Sequence, residues 1–310
     1  MAPRSTRSRQ SRRAARLDFA GLEIVGALLT PDIVARLAAF EANDQSEESY
    51  EIPAGLKLRD EIARYYRIGE ALWSRFEATR GQSVSISERF VLDLLRQCFG
   101  FHSIEPRSIT RLGDREFPVR HAALGGRVPI VIAPAPAEGA RRSGVDESLS
   151  QFGDGSRRRS ATLLLQEYLN ASGGADWGLV SDGITLRLMR DNISLTRPAW
   201  IEANLSKIFS EGLFPDFSAV WLLIHQTRFG QADAAVSDCA LERWRDRGRT
   251  DGIAARDKLR QGVEAALLEL GQGFIENSAN GALRQALSEG ALRAVSERTE
   301  SVGGFPNQLV

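Results

Sequence analysis

Cysteines, histidines and long apolar runs are scarce in this chain of 310 residues, and the scarcity excludes several classes of protein. The two cysteines, Cys98 and Cys239, lie far apart, which leaves neither a disulfide framework nor the spacing of a zinc site. No run of about 18 apolar residues is present, so the sequence predicts no transmembrane helix. No apolar run follows the N-terminal arginines either, so no secretory signal is predicted and we expect a cytoplasmic protein.

The chain also lacks net charge, because 40 basic residues balance 40 acidic ones. No field over the whole chain therefore points to nucleic acid. The local distribution differs, since residues 1–17 contain six arginines and no acid, and further arginines flank a loop rich in glycine and serine. Such basic segments bind phosphates. A tail that only keeps the protein in solution is the alternative for residues 1–17. The candidate DNA-binding residues are Arg12, Arg13, Arg157, Arg158 and Arg159.

The first hundred residues have the apolar spacing of helices. Thr30-Pro31-Asp32 supplies a cap and a first-turn proline for a helix through about Ala42. A period near 3.6 residues predicts a long helix over 56–79 and another over 88–99, the second capped by Ser85 or Ser87.

From Ile104 the apolar period changes to two residues. This change predicts strands over 103–112 and 117–124, and the continuous apolar run 128–133 predicts a strand that is covered on both faces. Residues 134–160 contain few large apolar side chains and are predicted to form a mobile loop. A helix over 161–170 follows.

The segment 177–217 contains a pattern found in DNA-modifying enzymes. Asp182-Gly183 joins two apolar runs, as in a hairpin, and Arg197-Pro198-Ala199-Trp200 then begins a segment that ends in Leu213-Phe214-Pro215-Asp216-Phe217. The segment resembles the junction after the N-terminal nuclease-like domain of type IIG restriction-modification proteins and of DISARM-type adenine methylases. The resemblance covers Phe90 to Leu292.

The resemblance implies an α+β fold. It contains a degenerate PD-(D/E)xK nuclease-like mixed sheet with flanking helices, together with N-terminal and C-terminal helical regions. Helical spacing continues over 238–273, with a break at 248–250 and an end at Gly271-Gln272-Gly273. The predicted regions are a disordered basic arm (1–17), a helical segment (18–82), the nuclease-like domain (83–196), a helical connector (197–293) and a disordered tail (294–310).

The nuclease-like domain lacks the residues of an active metal site. An active enzyme of that fold needs an acid on the second core strand and Glu-x-Lys on the third, because the carboxylates hold Mg²⁺ and the lysine orients water. This chain has His121 at the first place and Ala133 and Ala135 at the other two. We therefore predict no catalytic residue and no metal.

An independent metal-dependent nuclease is the alternative, with Mg²⁺ held by acids outside the usual spacing. Its candidate acids are Glu88, Asp114 and Glu116. No serine, histidine and acid stand together, so nothing supports nucleophilic catalysis, and His225 in an apolar segment is predicted to be structural.

The chain also lacks the residues that catalyse base methylation. Neither Asn-Pro-Pro-Tyr nor Asp-Pro-Pro-Tyr, the element that holds a flipped adenine, occurs. Phe152-Gly153-Asp154-Gly155 is similar to a turn that binds S-adenosylmethionine, but no buried strand is predicted before it.

The prediction is a non-catalytic N-terminal portion of a phage-defence or restriction-modification methylase that contacts DNA and docks other subunits. We interpret the polar residues 297–310 as the end of a truncated family member, with a natural short protein as the alternative.

S-adenosylmethionine is a cofactor of the full-length relatives only, and we expect this chain not to bind it. Neither a glycine-rich turn at a helix N-terminus nor a base pocket is predicted to receive it. Calorimetry of the purified chain with S-adenosylmethionine should show no heat of binding. Tight binding at micromolar concentration would contradict the prediction.

Overall fold

The computed structural model describes residues 19–26, 28–80, 84–137, 143–154, 156–191 and 199–288. The predicted arm 1–17, with Arg12 and Arg13, and the predicted tail 294–310 lie outside the described residues. The chain divides into two units, Met1–Arg249 and Thr250–Val310. No helix in the described ranges combines the length and the apolarity that a membrane span requires.

The described residues form eleven strands and eight α-helices. The strands are β1 (Leu22–Val25), β2 (Ile104–Pro106), β3 (Thr110–Leu112), β4 (Arg115–Phe117), β5 (His121–Ala123), β6 (Val128–Ile132), β7 (Leu149–Asp154), β8 (Arg157–Arg159), β9 (Trp177–Ser181), β10 (Thr185–Arg190) and β11 (Trp200–Asn204). The helices are α1 (Pro31–Ala38), α2 (Leu58–Thr79), α3 (Val84–Cys98), α4 (Ala161–Ala171), α5 (Leu205–Ser210), α6 (Phe214–Ile224), α7 (Ala240–Glu276) and α8 (Gly281–Ser288).

Seven of these strands form one mixed sheet in the order β1-β11-β10-β9-β6-β5-β2. Neighbouring strands are antiparallel except for β6 and β9, which run parallel with Ile130 opposite Leu179. A parallel pair needs a long crossover connection, and here the connection contains α4. The expected mixed sheet with flanking helices is therefore confirmed.

Apolar side chains cover both faces of the sheet. Along β9, Leu179 belongs to the cluster formed with α2, α3 and α6, whereas Val180 belongs to a second cluster formed with α4. Ile130 and Val131 alternate in the same way along β6. Successive strand residues point to opposite faces, so a strand that is covered on both faces is apolar at every position. Each fully buried side chain of this size contributes roughly 1.5–3 kcal/mol.

Local signals located several elements correctly. Thr30 caps α1, with its hydroxyl accepting a hydrogen bond from the amide of Ile33 at 3.4 Å, and Pro31 is the first helical residue. The Asp182-Gly183 hairpin between β9 and β10 is also confirmed. Its aspartate is fully buried, and one carboxylate oxygen accepts the amide of Thr185 at 2.7 Å.

The sheet extends into segments that were expected to be helical. Residues 200–204, assigned to the helical connector, form β11, which pairs with β10 and with β1. The burial of Ile201 and Ala203 alternates with the greater exposure of Glu202 and Asn204, as a strand with one buried face requires. This alternation lasts only five residues beside a long helical pattern. The expectation of helix at these positions was therefore wrong.

The predicted mobile loop 134–160 contains a hairpin instead. Strands β7 and β8 form a separate antiparallel pair with a register shift between Leu149 and Asp154. Phe152 is buried, and the guanidinium of Arg159 donates to the carbonyl oxygens of Phe152 at 2.7 Å and of Gly153 at 2.9 Å. Tertiary contacts stabilise β7 and β8, whereas their local sequence shows no strand pattern.

Helix α7 runs through both of its predicted interruptions, at 248–250 and at Gly271-Gln272-Gly273. The break and the early end were therefore wrong. A glycine inside a helix costs about 1 kcal/mol relative to alanine, which a long helix tolerates because each further residue adds a hydrogen bond.

A buried acid on α4 holds the β7–β8 hairpin in place. Glu167 is 3% exposed, and its two carboxylate oxygens accept hydrogen bonds from Arg157 and Arg159 at 3.1 Å each. Arg115 on β4 donates to the same carboxylate. Because Arg159 is 0% exposed, its charge depends on Glu167 for compensation.

Glu167→Gln should therefore lower the free energy of unfolding by about 3 kcal/mol, since the buried guanidinium of Arg159 loses its counter-charge. Urea denaturation followed by circular dichroism measures the change. The matched control is Glu116→Gln, because Glu116 pairs with the exposed Arg111 and such a surface pair is worth less than about 1 kcal/mol. Equal losses in the two variants would contradict a special role for Glu167.

Candidate functional site

A cavity of about 230 Å³ opens where α3 meets β5 and β6. Its polar lining residues are Glu88, Arg120, His121 and Gln151, and its apolar lining includes Val131, Ala133 and Phe152. These are the strands on which the sequence analysis located a lost metal site. The structure thus brings the histidine of β5 and the alanine after β6 to one cavity.

Within the cavity, a carboxylate from the helix faces the histidine from the sheet. The Oε1 atom of Glu88 lies 2.8 Å from Nε2 of His121. The His121 side chain is 13% exposed and that of Glu88 is 45% exposed. A carboxylate in this position orients the imidazole ring through the hydrogen bond. Each side chain of the pair therefore has a hydrogen-bond partner within the protein.

Ala133 and Ala135, which follow β6, supply no side-chain ligand for a metal. The amide of Ala133 donates to the carbonyl oxygen of Ser181 at 2.8 Å, which continues the β6–β9 ladder. The amide of Ala135 donates to the Ser87 hydroxyl at 3.0 Å. Ser87 lies inside α3, which begins at Val84, so its expected role as the helix cap was wrong. A methyl side chain has no electron pair to donate to a cation.

The acids proposed for the alternative nuclease do not converge. Glu88 lines the cavity from α3, whereas Asp114 lies exposed in the turn of the separate β3–β4 hairpin. Glu116 lies on β4 and accepts a hydrogen bond from Nε of Arg111 at 2.8 Å. Across the ranges that the structure describes, no group of three or more histidine, cysteine, aspartate or glutamate side chains is placed to hold a metal ion.

The three candidate arginines of β8 differ in their surroundings. Arg158 is exposed, and Arg157 is exposed but paired with Glu167 at 3.1 Å. Arg159 is fully buried, so its guanidinium does not reach a phosphate in this fold. The expectation that Arg159 contacts DNA is corrected by this burial, while Arg157 and Arg158 remain candidates.

His225 is a structural residue at the end of α6. Its ring lies 4.5 Å from the ring of Trp221, and its Nδ1 lies 2.9 Å from the Thr227 hydroxyl oxygen. Burial lowers the pKa of His225 to about 3, with smaller contributions from the charges of Arg228 and His102. The imidazole is therefore neutral near pH 7.

Sequence reasoning missed the pairing of Glu88 with His121. It named Glu88 as a possible metal ligand and His121 as the replacement of an acid. The two residues are 33 positions apart, on different elements, and no spacing rule connects them. Only the packing of α3 against the sheet reveals their contact. No sequence signal pointed to Arg120, which lies next to His121 at the cavity.

Comparisons with protein-family models, with curated proteins and with solved structures found no match to this chain.

The neutral state of His225 predicts an acid-sensitive stability. In the unfolded chain this histidine takes up a proton near pH 6.5, whereas in the folded chain it does so only near pH 3. The free energy of unfolding should therefore fall as the pH decreases from 6.5 towards 3, with a contribution of up to about 1.4 kcal/mol per pH unit.

His225→Gln should make that pH dependence shallower, as measured by urea denaturation between neutral and acidic pH. For comparison, His102→Gln removes an exposed histidine that makes only a smaller contribution to the pKa of His225, so most of the pH dependence should remain. If the slope is unchanged in His225→Gln, burial of this imidazole does not cause the acid sensitivity.

Proposed function

We propose that this chain is a DNA-contacting and partner-docking module without catalytic activity, from a restriction-modification or phage-defence methylase. The element order α3-β2-β5-β6-α4-β9 supports a PD-(D/E)xK-like core within the sheet. Strands β2, β5 and β6 are successively antiparallel, and β9 adds in parallel after α4. With β10 after β9, and leaving aside the β3–β4 and β7–β8 hairpins, these elements follow the order of helix, strands, helix and strand pair expected of the PD-(D/E)xK fold.

One observation carries the non-catalytic part of the proposal. The cavity at β5 and β6 contains a histidine hydrogen-bonded to Glu88 and the methyl group of Ala133, at positions where the resemblance would put metal ligands. Two carboxylates and an orienting lysine are needed there for metal-assisted hydrolysis. With Ala133 and Ala135 in those places, such a domain retains the shape of the fold and loses the chemistry.

Exposed arginines support contact with DNA. Arg120 at the cavity and Arg158 on β8 are both exposed, and neither forms an ion pair with a residue that the structure describes. Gln151 on β7 lines the same cavity. A cation without a protein counter-charge binds a phosphate at little cost, because no existing pair has to be broken. The contact would be independent of base sequence.

Neutralising these two arginines should weaken DNA binding. For Arg120→Gln/Arg158→Gln, we expect about a tenfold loss of affinity for a short duplex and a log-salt slope that is shallower by about 2, since each contact releases counterions. Fluorescence anisotropy over a salt series measures both. Deletion of residues 1–16 in the same assay tests the basic arm that contains Arg12 and Arg13.

The matched control is Arg59→Gln/Arg67→Gln, which removes two exposed charges from α2. It should leave the affinity and the slope almost unchanged. If both double variants lose the same affinity, the loss reflects the reduced positive charge of the chain and not a binding site that contains Arg120 and Arg158.

The protein should also fail to cut DNA with Mg²⁺ or Mn²⁺, because the cavity offers no pair of carboxylates for the metal. Gel analysis of plasmid and linear DNA checks this. Cleavage that Glu88→Gln, Asp114→Ala or Glu116→Ala abolishes would establish the alternative nuclease and overturn the proposal.

A further inference from the structure

Another cavity, of about 210 Å³, lies between α1, the residues that follow it and the first turns of α7. We call it the α1–α7 cavity, and it lies within the first unit of the chain. The lining contains three arginines and one aspartate, so its net charge is positive, and it also has an apolar part. The lining residues are Ile33, Arg36, Ala42, Asn43, Asp44, Arg243, Trp244 and Arg247.

The three arginines come from two helices that approach each other closely. Arg243 and Arg247 are four residues apart on α7, so they lie on one face of that helix. Arg36 lies in the last turn of α1. The approach is close at Gly248, where an added Cβ atom would lie 3.0 Å from Oγ1 of Thr30. Three guanidinium groups at one cavity repel one another, and a bound anion would offset that repulsion.

Hydrogen-bond acceptors in the wall of the cavity are already engaged by the protein. The carbonyl oxygen of Asn43 accepts a hydrogen bond from Nε1 of Trp244 at 3.0 Å. The carbonyl oxygen of Asp44 accepts one from Nη1 of Arg228 at 2.6 Å, and its carboxylate accepts one from Nε of Arg243 at 3.0 Å. A ligand that accepts hydrogen bonds therefore fits this wall better than one that donates them.

A buried cation lies behind the wall. Arg228 is 2% exposed, and among the described residues its hydrogen bonds go to carbonyl and hydroxyl oxygens and to no carboxylate. Its Cζ atom lies 5.6 Å from the centre of the Trp244 ring. Burial lowers the pKa of Arg228, and the charge of Arg243 acts in the same direction. An anion in the cavity would offset part of this unfavourable charge.

We propose that the α1–α7 cavity binds the phosphate group of a small phosphorylated compound. Arg36, Arg243 and Arg247 donate to the phosphate oxygens, and the apolar part of the lining contacts the rest of the compound. Arg36 and Arg247 also interact with other groups of the protein, but each guanidinium has five N–H donors and is able to bind more than one acceptor. The site uses other residues than the proposed contact with DNA and does not depend on it.

Size and geometry decide the class of ligand. The volume of the cavity is about 210 Å³, which is below the roughly 300–1,000 Å³ of pockets for drug-sized ligands, so the compound is small. Cations from two helices surround a tetrahedral phosphate on several sides, whereas a planar carboxylate pairs with a single guanidinium fork. Inorganic phosphate and a phosphate monoester share this chemistry, and the apolar part of the lining favours the monoester.

Isothermal titration calorimetry of the full chain with phenyl phosphate and with inorganic phosphate tests the proposal. We expect saturable binding of phenyl phosphate with a Kd below about 1 mM, and weaker binding of inorganic phosphate, which has no apolar group. Arg36→Gln/Arg247→Gln should raise the Kd of phenyl phosphate at least about tenfold, because charge-assisted hydrogen bonds are lost. Binding of phenyl phosphate that is no tighter than that of inorganic phosphate would contradict an organic ligand.

The matched control is Arg245→Gln/Arg249→Gln, which removes two charges from the opposite face of the same helix, outside the lining of the cavity. Its Kd should equal that of the unaltered chain. Equal losses in the two double variants would overturn the proposal. Lack of saturable binding of either compound up to about 10 mM would overturn it as well, since a site with the expected Kd would be largely occupied there.

A substitution that strengthens binding separates the proposal from damage to the fold. Asp44→Asn removes the carboxylate of the lining, and asparagine tolerates the left-handed backbone of this position, where φ is 61°. The Kd of phenyl phosphate should fall about two- to fivefold, because Arg243 no longer shares its charge with Asp44. An unchanged or higher Kd in Asp44→Asn would speak against an anion site.

Duplex DNA is another source of phosphate groups, and the variants distinguish it. The affinity for DNA should fall no further in Arg36→Gln/Arg247→Gln than in Arg245→Gln/Arg249→Gln. If DNA binding depends on Arg36 and Arg247 while neither small compound binds, these arginines belong to a DNA surface and the proposal is wrong. The proposed contact of DNA with Arg120 and Arg158 is tested by other variants, so the two proposals fail separately.

Discussion

The parallel pairing of β6 with β9 is the contact on which the rest of the first unit depends. Both strands are buried on both faces, and each connects an antiparallel group: β5 and β2 on one side, β10, β11 and β1 on the other. The crossover helix α4 packs on this pair so closely that a Cβ atom added to Gly178 would lie 2.9 Å from a methyl carbon of Leu165. The position of α4 in turn locates Glu167, and with it the arginines of the β7–β8 hairpin.

The same pairing locates the cavity, because the amide of Ala133 completes the ladder at its edge. On that edge a carboxylate and an imidazole bind each other, with Glu88 2.8 Å from His121. In an active metal site, carboxylates would have to remain available to a cation. Here Glu88 is hydrogen-bonded to His121, and Arg120 at the same cavity forms no ion pair with a residue that the structure describes. In the proposed function, Arg120 would contact a phosphate directly.

Local physics determined which elements the sequence could predict. The Thr30 cap and the Asp182-Gly183 turn are short-range signals, and both appear in the structure as expected. The β7–β8 hairpin was missed because its order comes from the distant Glu167 and from carbonyl groups that bind Arg159. Strand β11 was missed because its alternation spans only five residues. For the cavity, the sequence supplied the alanines and both members of the Glu88–His121 pair, but their contact depends on packing across 33 positions.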